Sequence, residues 1–317
     1  MGELSKKIGE HGEKVVLKFI EKLGWTSPSD GESLICNKPL KHQRTKDTPR
    51  TTHGIDLFYS YKSQLEDFTV NNLLISVKYT SNPYPTPPNS KFKEHFKDIA
   101  ETVECFARSD LRNETNKEYE SFGIRRSSDT GVLFWLSSDR ESEQDIVSKV
   151  SGVILDKELE FSNIQVIDNA RASFIYNSIS SVERMFSESD IRFHYAFSSS
   201  NYTDQNISKF GSVLPVEYLT SPILPMRIIN QYNDKQKFCI SSIESYNESA
   251  MKRLLNFASD ISQDFSNEFV FFFTNYDELR DGASVKKCIR TLGEKSGKIK
   301  ISVHSSVNDF RGLMNEQ

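Results

Sequence analysis

Apolar positions near the start of the chain recur at helical spacing. Ile8, Val15, Val16, Phe19, Ile20 and Leu23 form one stripe, and Gly24 follows as a C-cap. Gly12 lies next to that stripe, where a missing side chain lets a sheet approach, and Glu13 lies beside the apolar face. Residues 52–80 then hold two apolar runs, around Ile55-Asp56-Leu57-Phe58 and Leu73-Leu74-Ile75-Ser76-Val77-Lys78-Tyr79, which predict neighbouring strands joined by the polar residues 60–72. Alternation puts Ser76 and Lys78 on one face of the second strand and Ile75, Val77 and Tyr79 on the other. If the two strands pair antiparallel, Asp56 comes beside Lys78.

A proline-rich turn, Asn82 to Pro88, ends the strand. The stripe Phe92, Phe96, Ile99, Val103 and Phe106 predicts a helix over about 90–109, with Glu94, His95, Asp98 and Glu101 around it. A polar segment runs to Asp129, and the apolar run 131–137 predicts a central buried strand. A helix is expected over 139–150. Further on, strands are expected near 166–167, 191–197, 213–218, 226–229, 237–243, 269–273 and 299–303, with Pro215, Pro222 and Pro225 interrupting the middle ones. Helices are expected over 170–186, 249–261 and 285–292, the last closing at Gly293. This alternation predicts a second α/β domain with a parallel sheet, serving recognition or assembly, so the chain reads as domains 1–155 and 161–317. His194 and His304 read as ordinary strand residues.

The chain has 317 residues, 37% of them hydrophobic and 26% charged, which describes a globular protein rather than a disordered one. Its net charge of −4 excludes a protein that coats nucleic acid with uniform positive charge, but leaves room for a local basic groove. Lys38, Lys41, His42, Arg44, Lys46 and Arg50 make residues 38–50 the most basic stretch, and it leads straight into the Asp56 strand. Lys38, Lys41, Arg44, Lys46 and Arg50 are therefore candidate phosphate contacts. No apolar run nears the roughly 18 residues of a membrane span, and the first residues lack a signal peptide's apolar core. Cys36, Cys105, Cys239 and Cys288 lie far apart with no C-x-x-C pair, which speaks against structural zinc and a disulfide framework and suits the cytoplasm.

Gly54-Ile55-Asp56 followed by Ser76-Val77-Lys78 resembles the core of the PD-(D/E)XK nuclease superfamily, in which an Asp opens one strand and an acid-x-Lys lies on the next. The resemblance covers roughly the first half of the chain and implies a restriction endonuclease-like mixed-sheet core there, which the second α/β domain read from the alternation follows. It also implies a metal-dependent endonuclease that hydrolyses DNA, in the manner of a restriction or antiphage defence effector. Mg²⁺ or Mn²⁺ would be the cofactor, with Asp56 and the Val77 carbonyl as ligands and Lys78 orienting the attacking water. A homodimer or a second defence subunit is the implied protein partner.

Ser76 departs from the pattern, since a carboxylate is usual there. Some enzymes of this superfamily with Ser-x-Lys take the missing acid from the following helix, which implies Glu94. Glu13, on the superfamily's first core helix, is the equal rival, with Asp98 and Glu101 behind. Ser76 also supports the alternative of a catalytically degenerate nuclease fold that binds nucleic acid or a partner protein. An α/β interaction protein unrelated to nucleases is the third reading.

Overall fold

The computed structural model describes residues 2–43, 48–139, 145–205, 207–233, 235–262, 265–291 and 299–315, with side chains from Lys6 onward. Arg44 and Lys46, most of residues 139–145 and the helix end at Gly293 lie outside the described residues. The chain forms two compact units: Met1–Ala172 with Ser198–Ile207 and Arg311–Gln317, and Ser173–Phe197 with Ser208–Phe310.

The first unit is built on a five-stranded mixed sheet in the order β1-β2-β3-β4-β5: β1 (Ser29–Ile35), β2 (Thr52–Lys62), β3 (Thr69–Thr80), β4 (Arg126–Ser137) and β5 (Asn163–Ile167). The β1–β2 and β2–β3 pairs are antiparallel, and β3–β4 and β4–β5 are parallel. β5 pairs with β4 from Thr130↔Asn163 to Phe134↔Ile167, so the first unit runs past the expected break at 155–161 and takes in residues assigned to the second domain. A two-residue-period strand cannot show which sheet it joins.

Two helices cover opposite faces of this sheet, because neighbouring residues of β4 point in opposite directions. Phe134 meets Phe19 of α1 (Gly2–Lys22), edge to face at 5.5 Å between ring centroids. Leu133 joins Ile99, Val103 and Phe106 of α2 (Asn89–Phe106) in a buried cluster with Leu74, Ile55 and Phe58. Gly12 makes the α1 contact possible: a Cβ there would lie 2.3 Å from Tyr79 Cβ. Gly131 does the same on the α2 face, with Ile99 and Val103 atoms 3.0 Å from where its Cβ would be.

Two polar stretches read as loops are regular structure. The β2 and β3 strands extend to Lys62 and back to Thr69, through Asn71 and Asn72, both fully buried. Asn72 is accommodated because its side chain accepts from Ser60 Oγ at 2.9 Å and donates to Asp129 Oδ1 at 2.9 Å. Helix α3 (Asp110–Glu120) has only Leu111 as an aliphatic residue, so no apolar stripe announces it. Ser109 caps it by accepting from the Arg112 N–H at 3.1 Å, and Arg112 Nε bonds Asp129 Oδ2 at 2.6 Å. Helix α4 is short (Ile146–Val150), and α5 (Asn169–Met185) follows β5.

The second unit holds a six-stranded sheet in the order β11-β10-β9-β8-β6-β7. Its strands are β6 (Ser189–His194), β7 (Phe210–Gly211), β8 (Ile223–Asn230), β9 (Gln236–Ser242), β10 (Glu268–Phe273) and β11 (Lys300–Ser305). β9, β10 and β11 are parallel, with α6 (Glu248–Ile261) and α7 (Glu278–Arg290) between them in sequence, while β6, β7 and β8 pair antiparallel. The sheet is thus mixed, not parallel throughout. β8 passes through Pro225 because pairing with β6 stops at Met226, leaving the proline with β9 as its one neighbour, where a missing N–H is tolerated. Residues 216–218, expected as the end of a strand over 213–218, belong to a 3₁₀ helix (Val216–Thr220) behind Pro215. Helix α8 (Phe310–Asn315) closes the described chain.

Candidate functional site

Asp56 and Lys78 meet as the strand pairing requires. β2 and β3 register Leu57 against Ile75, so Asp56 comes opposite Ser76. The Val77 N–H donates to Asp56 Oδ2 at 2.6 Å, and the nearby Ser76 also favours the charged form of this carboxylate. Burial raises the Asp56 pKa above the usual carboxylate value, against the opposing pull of the Val77 N–H and the Lys78 charge. The charge on Asp98 raises it further.

Helix α2 supplies the other side. Lys78 Nζ lies 3.2 Å from Asp98 Oδ2, and Asp98 Oδ1 accepts from Arg50 Nη2 at 2.9 Å. Arg50 is buried, and its Nη1 bonds Glu101 Oε2 at 3.2 Å. Burial works against the charged form of Asp98, yet Lys78 and Arg50 together hold its carboxyl below the usual range. Gln43, Arg50, Lys78, Glu94, His95, Lys97, Asp98 and Glu101 line one open cleft of about 560 Å³. His95, edge-on to Trp135 at 5.5 Å, is pushed down to about 4 by burial and by the charges of Lys91 and Lys78, so it enters the cleft neutral.

The two acids singled out for the missing carboxylate differ in position. Glu13 is raised above its usual pKa by burial and then by the charge on Asp56, which places it in the field of that carboxylate. Glu94 is exposed at the cleft rim with both oxygens 2.9 Å from Lys91 Nζ, which lowers its pKa. Asp98, not Glu94, is the acid that contacts Lys78. Glu94, Asp98 and Glu101 fall at i, i+4 and i+7, one face of a helix, and that spacing was the available signal for Asp98.

The basic stretch is divided. Lys38 and Lys41 both pair with Glu104 of α2 and with Glu160, their Nζ atoms each 3.2 Å from a Glu160 oxygen. Among the described members of the stretch, Arg50 reaches the cleft, locked between Asp98 and Glu101.

No curated protein and no solved structure matches the chain. A family model does: the PD-(D/E)XK nuclease domain of GAPS4 protein, over residues 1–171, the stretch that carries the five-stranded sheet, Asp56, Lys78 and Asp98. No helix among the described residues is long and apolar enough to cross a membrane. With the strand pair, the helix behind it and the matched residues in agreement, the chain belongs to the GAPS4 PD-(D/E)XK nuclease family, an antiphage defence family.

Proposed function

We propose that the protein is a divalent-metal-dependent endonuclease that hydrolyses phosphodiester bonds of DNA in defence against phage. The observation that carries this reading is Lys78 facing the cleft between two carboxylates, Asp56 across the sheet and Asp98 on α2. The donor set fits Mg²⁺ or Mn²⁺. Asp56 and Glu13 are hard oxygen donors, and each raises the other's cost of carrying charge, a repulsion that a bound dication relieves. The Val77 carbonyl and Glu94 are the further candidate ligands. A dication held there lowers the pKa of a bound water and stabilises charge on the scissile phosphate.

The chain's own groups do the rest. The Val77 N–H holds the Asp56 carboxylate in place, which limits its freedom. Lys78 donates toward the attacking water and the developing negative charge. Asp98 fixes the direction of that ammonium, and Arg50 fixes Asp98 from behind.

Supercoiled plasmid incubated with purified protein and Mg²⁺ or Mn²⁺ tests the reading. Nicking or linearisation that EDTA stops, and that Asp56→Ala and Lys78→Ala each lower by at least about 100-fold with the fold intact, is the expected result. Salt-sensitive DNA binding without any cleavage would replace it with the degenerate, binding-only reading.

A further inference from the structure

Beside the cleft but separate from it, four side chains turn toward one point: Cys36 after β1, His42 in the β1–β2 connection, His53 on β2 and Cys105 at the end of α2. All four are buried, and their Sγ and ring nitrogen atoms lie within 4.8 Å of one another. His42 Nδ1 is 3.5 Å from Cys36 Sγ, 3.5 Å from Cys105 Sγ and 3.3 Å from His53 Nε2.

The three spacings from His42 Nδ1 match edges of a zinc tetrahedron. With zinc–sulfur bonds of about 2.3 Å and zinc–nitrogen bonds of about 2.05 Å, tetrahedral angles put sulfur about 3.5 Å from nitrogen and the two nitrogens about 3.3 Å apart. Hydrogen bonding at His42 Nδ1 does not account for all three contacts. One ring nitrogen makes one bond in the ring plane, yet His42 Nδ1 faces three heavy atoms at once.

The outer nitrogens set the tautomers. His42 Nε2 lies 3.0 Å from Glu104 Oε2, a carboxylate that accepts the ring proton. His53 Nδ1 lies 3.4 Å from Thr102 Oγ1, whose own proton goes to the Asp98 carbonyl at 2.8 Å, so the hydroxyl accepts from the ring. With these tautomers both rings aim lone pairs inward, at each other, an arrangement that a cation held between them and the two sulfurs would satisfy. The Asn37 N–H donates to Cys105 Sγ at 3.3 Å, a bond that favours the thiolate. Oriented imidazoles and an N–H on sulfur are the outer partners that metal ligands require.

We propose that Cys36, His42, His53 and Cys105 bind one structural Zn²⁺ in a closed Cys₂His₂ site. Four protein ligands leave no open position, so the ion organises the chain and takes no part in hydrolysis. It joins the β1–β2 connection to the end of α2. That connection carries Arg50, three residues before His53, and α2 carries Asp98 and Glu101, the partners of Arg50. The ion thereby holds one wall of the cleft in register with the other. This inference does not depend on the nuclease reading.

The test is metal analysis of full-length protein purified without metal-affinity resin and dialysed against metal-free buffer. About one zinc per chain is expected, retained in Asp56→Ala, whose loss of metal would touch the cleft alone. Growth with Co²⁺ should give the intense visible bands of tetrahedral cobalt together with thiolate-to-cobalt charge transfer. Cys36→Ser and Cys105→Ser should each cut the charge-transfer band to about half, one thiolate remaining, or lose the metal. Because those variants could fail to fold, Glu104→Gln provides a milder test: it should weaken zinc retention against a competing chelator by about 10-fold. Wild-type protein with less than about a tenth of an equivalent of zinc and no tetrahedral cobalt spectrum overturns the proposal. So does a Cys36–Cys105 disulfide in protein purified under reducing conditions.

Discussion

Lys78 Nζ and Asp98 Oδ2 sit 3.2 Å apart, so the motif lysine is held by an acid on α2 rather than by one on its own strand. Ser76 occupies the strand position where the superfamily usually has that acid, and it favours the charged form of Asp56. The carboxylate beside this ammonium thus comes from a helix.

Asp98→Asn should therefore lower cleavage by about 100-fold, as expected when a group that orients a charged donor is lost. Glu94→Ala, at the rim and paired with Lys91, should stay within a few-fold of wild type. Asp98→Asn also leaves buried Arg50 with Glu101 as its remaining carboxylate, at a cost of about 1–3 kcal/mol. Chemical denaturation separates that loss from the loss of rate. Ser76→Glu introduced into Asp98→Asn should recover part of the activity, and no recovery with an intact fold would contradict the displaced-acid account. Near-normal cleavage by Glu13→Ala would remove Glu13 from the metal ligands.

Helix α1 offers a stability comparison. Gly12→Ala puts a methyl group 2.3 Å from Tyr79 Cβ, and the helix or strand must shift to admit it. A loss of about 1–3 kcal/mol is expected in urea denaturation. Gly9→Ala meets nothing within 4 Å and should stabilise by about 1 kcal/mol through helix propensity alone. Equal effects at the two positions would show that the close approach of α1 to β3 is wrong.

In the second unit, burial and then the Arg227 and Lys209 charges push His194 down to about 4. Arg227 Nε donates to His194 Nδ1 at 3.0 Å, a bond that protonation would destroy. The unfolded chain takes up this proton near pH 6.5 and the folded one only near 4. The unfolded state thus binds more protons in between, and stability falls as pH drops through that window. From pH 7.5 to 4.5 the His194 share should be about 2 kcal/mol. His194→Asn keeps an acceptor for Arg227 and should flatten the pH dependence of urea denaturation by that amount. An unchanged slope would move the effect to other groups.

Lys38 and Lys41 share Glu104 and Glu160, a cluster of two positive and two negative charges. With no net charge it gives DNA little to release counterions against. The Lys38→Gln, Lys41→Gln double variant should alter the salt slope of DNA binding by less than about one unit. Lys97→Gln, half exposed on the cleft wall, should flatten it by about one unit. The reverse result would restore the first two lysines as phosphate contacts.

Local sequence was enough for the elements that matter most to the site. The apolar alternation around Asp56 and Lys78 determined that both lie on adjacent strands, and the stripes of α1 and α2 determined which helix faces are buried. Gly12 was legible too, because a glycine on an apolar stripe has few uses besides close approach. Polar strand and helix residues were not legible: Asn72 and α3 depend on hydrogen bonds to Ser60 and Asp129, which only the folded chain supplies. The choice of Asp98 over Glu94 depends on the rotation of α2 against the sheet, a quantity set by packing of Ile99, Val103 and Phe106 on Leu74 and Leu133. The four zinc-type ligands show the limit most clearly. Cys36, His42, His53 and Cys105 are separated by five, ten and fifty-one residues, a spacing that matches no short metal motif. A loop, a strand and a helix end contribute them, so their meeting point exists only once β1, β2 and α2 have packed together.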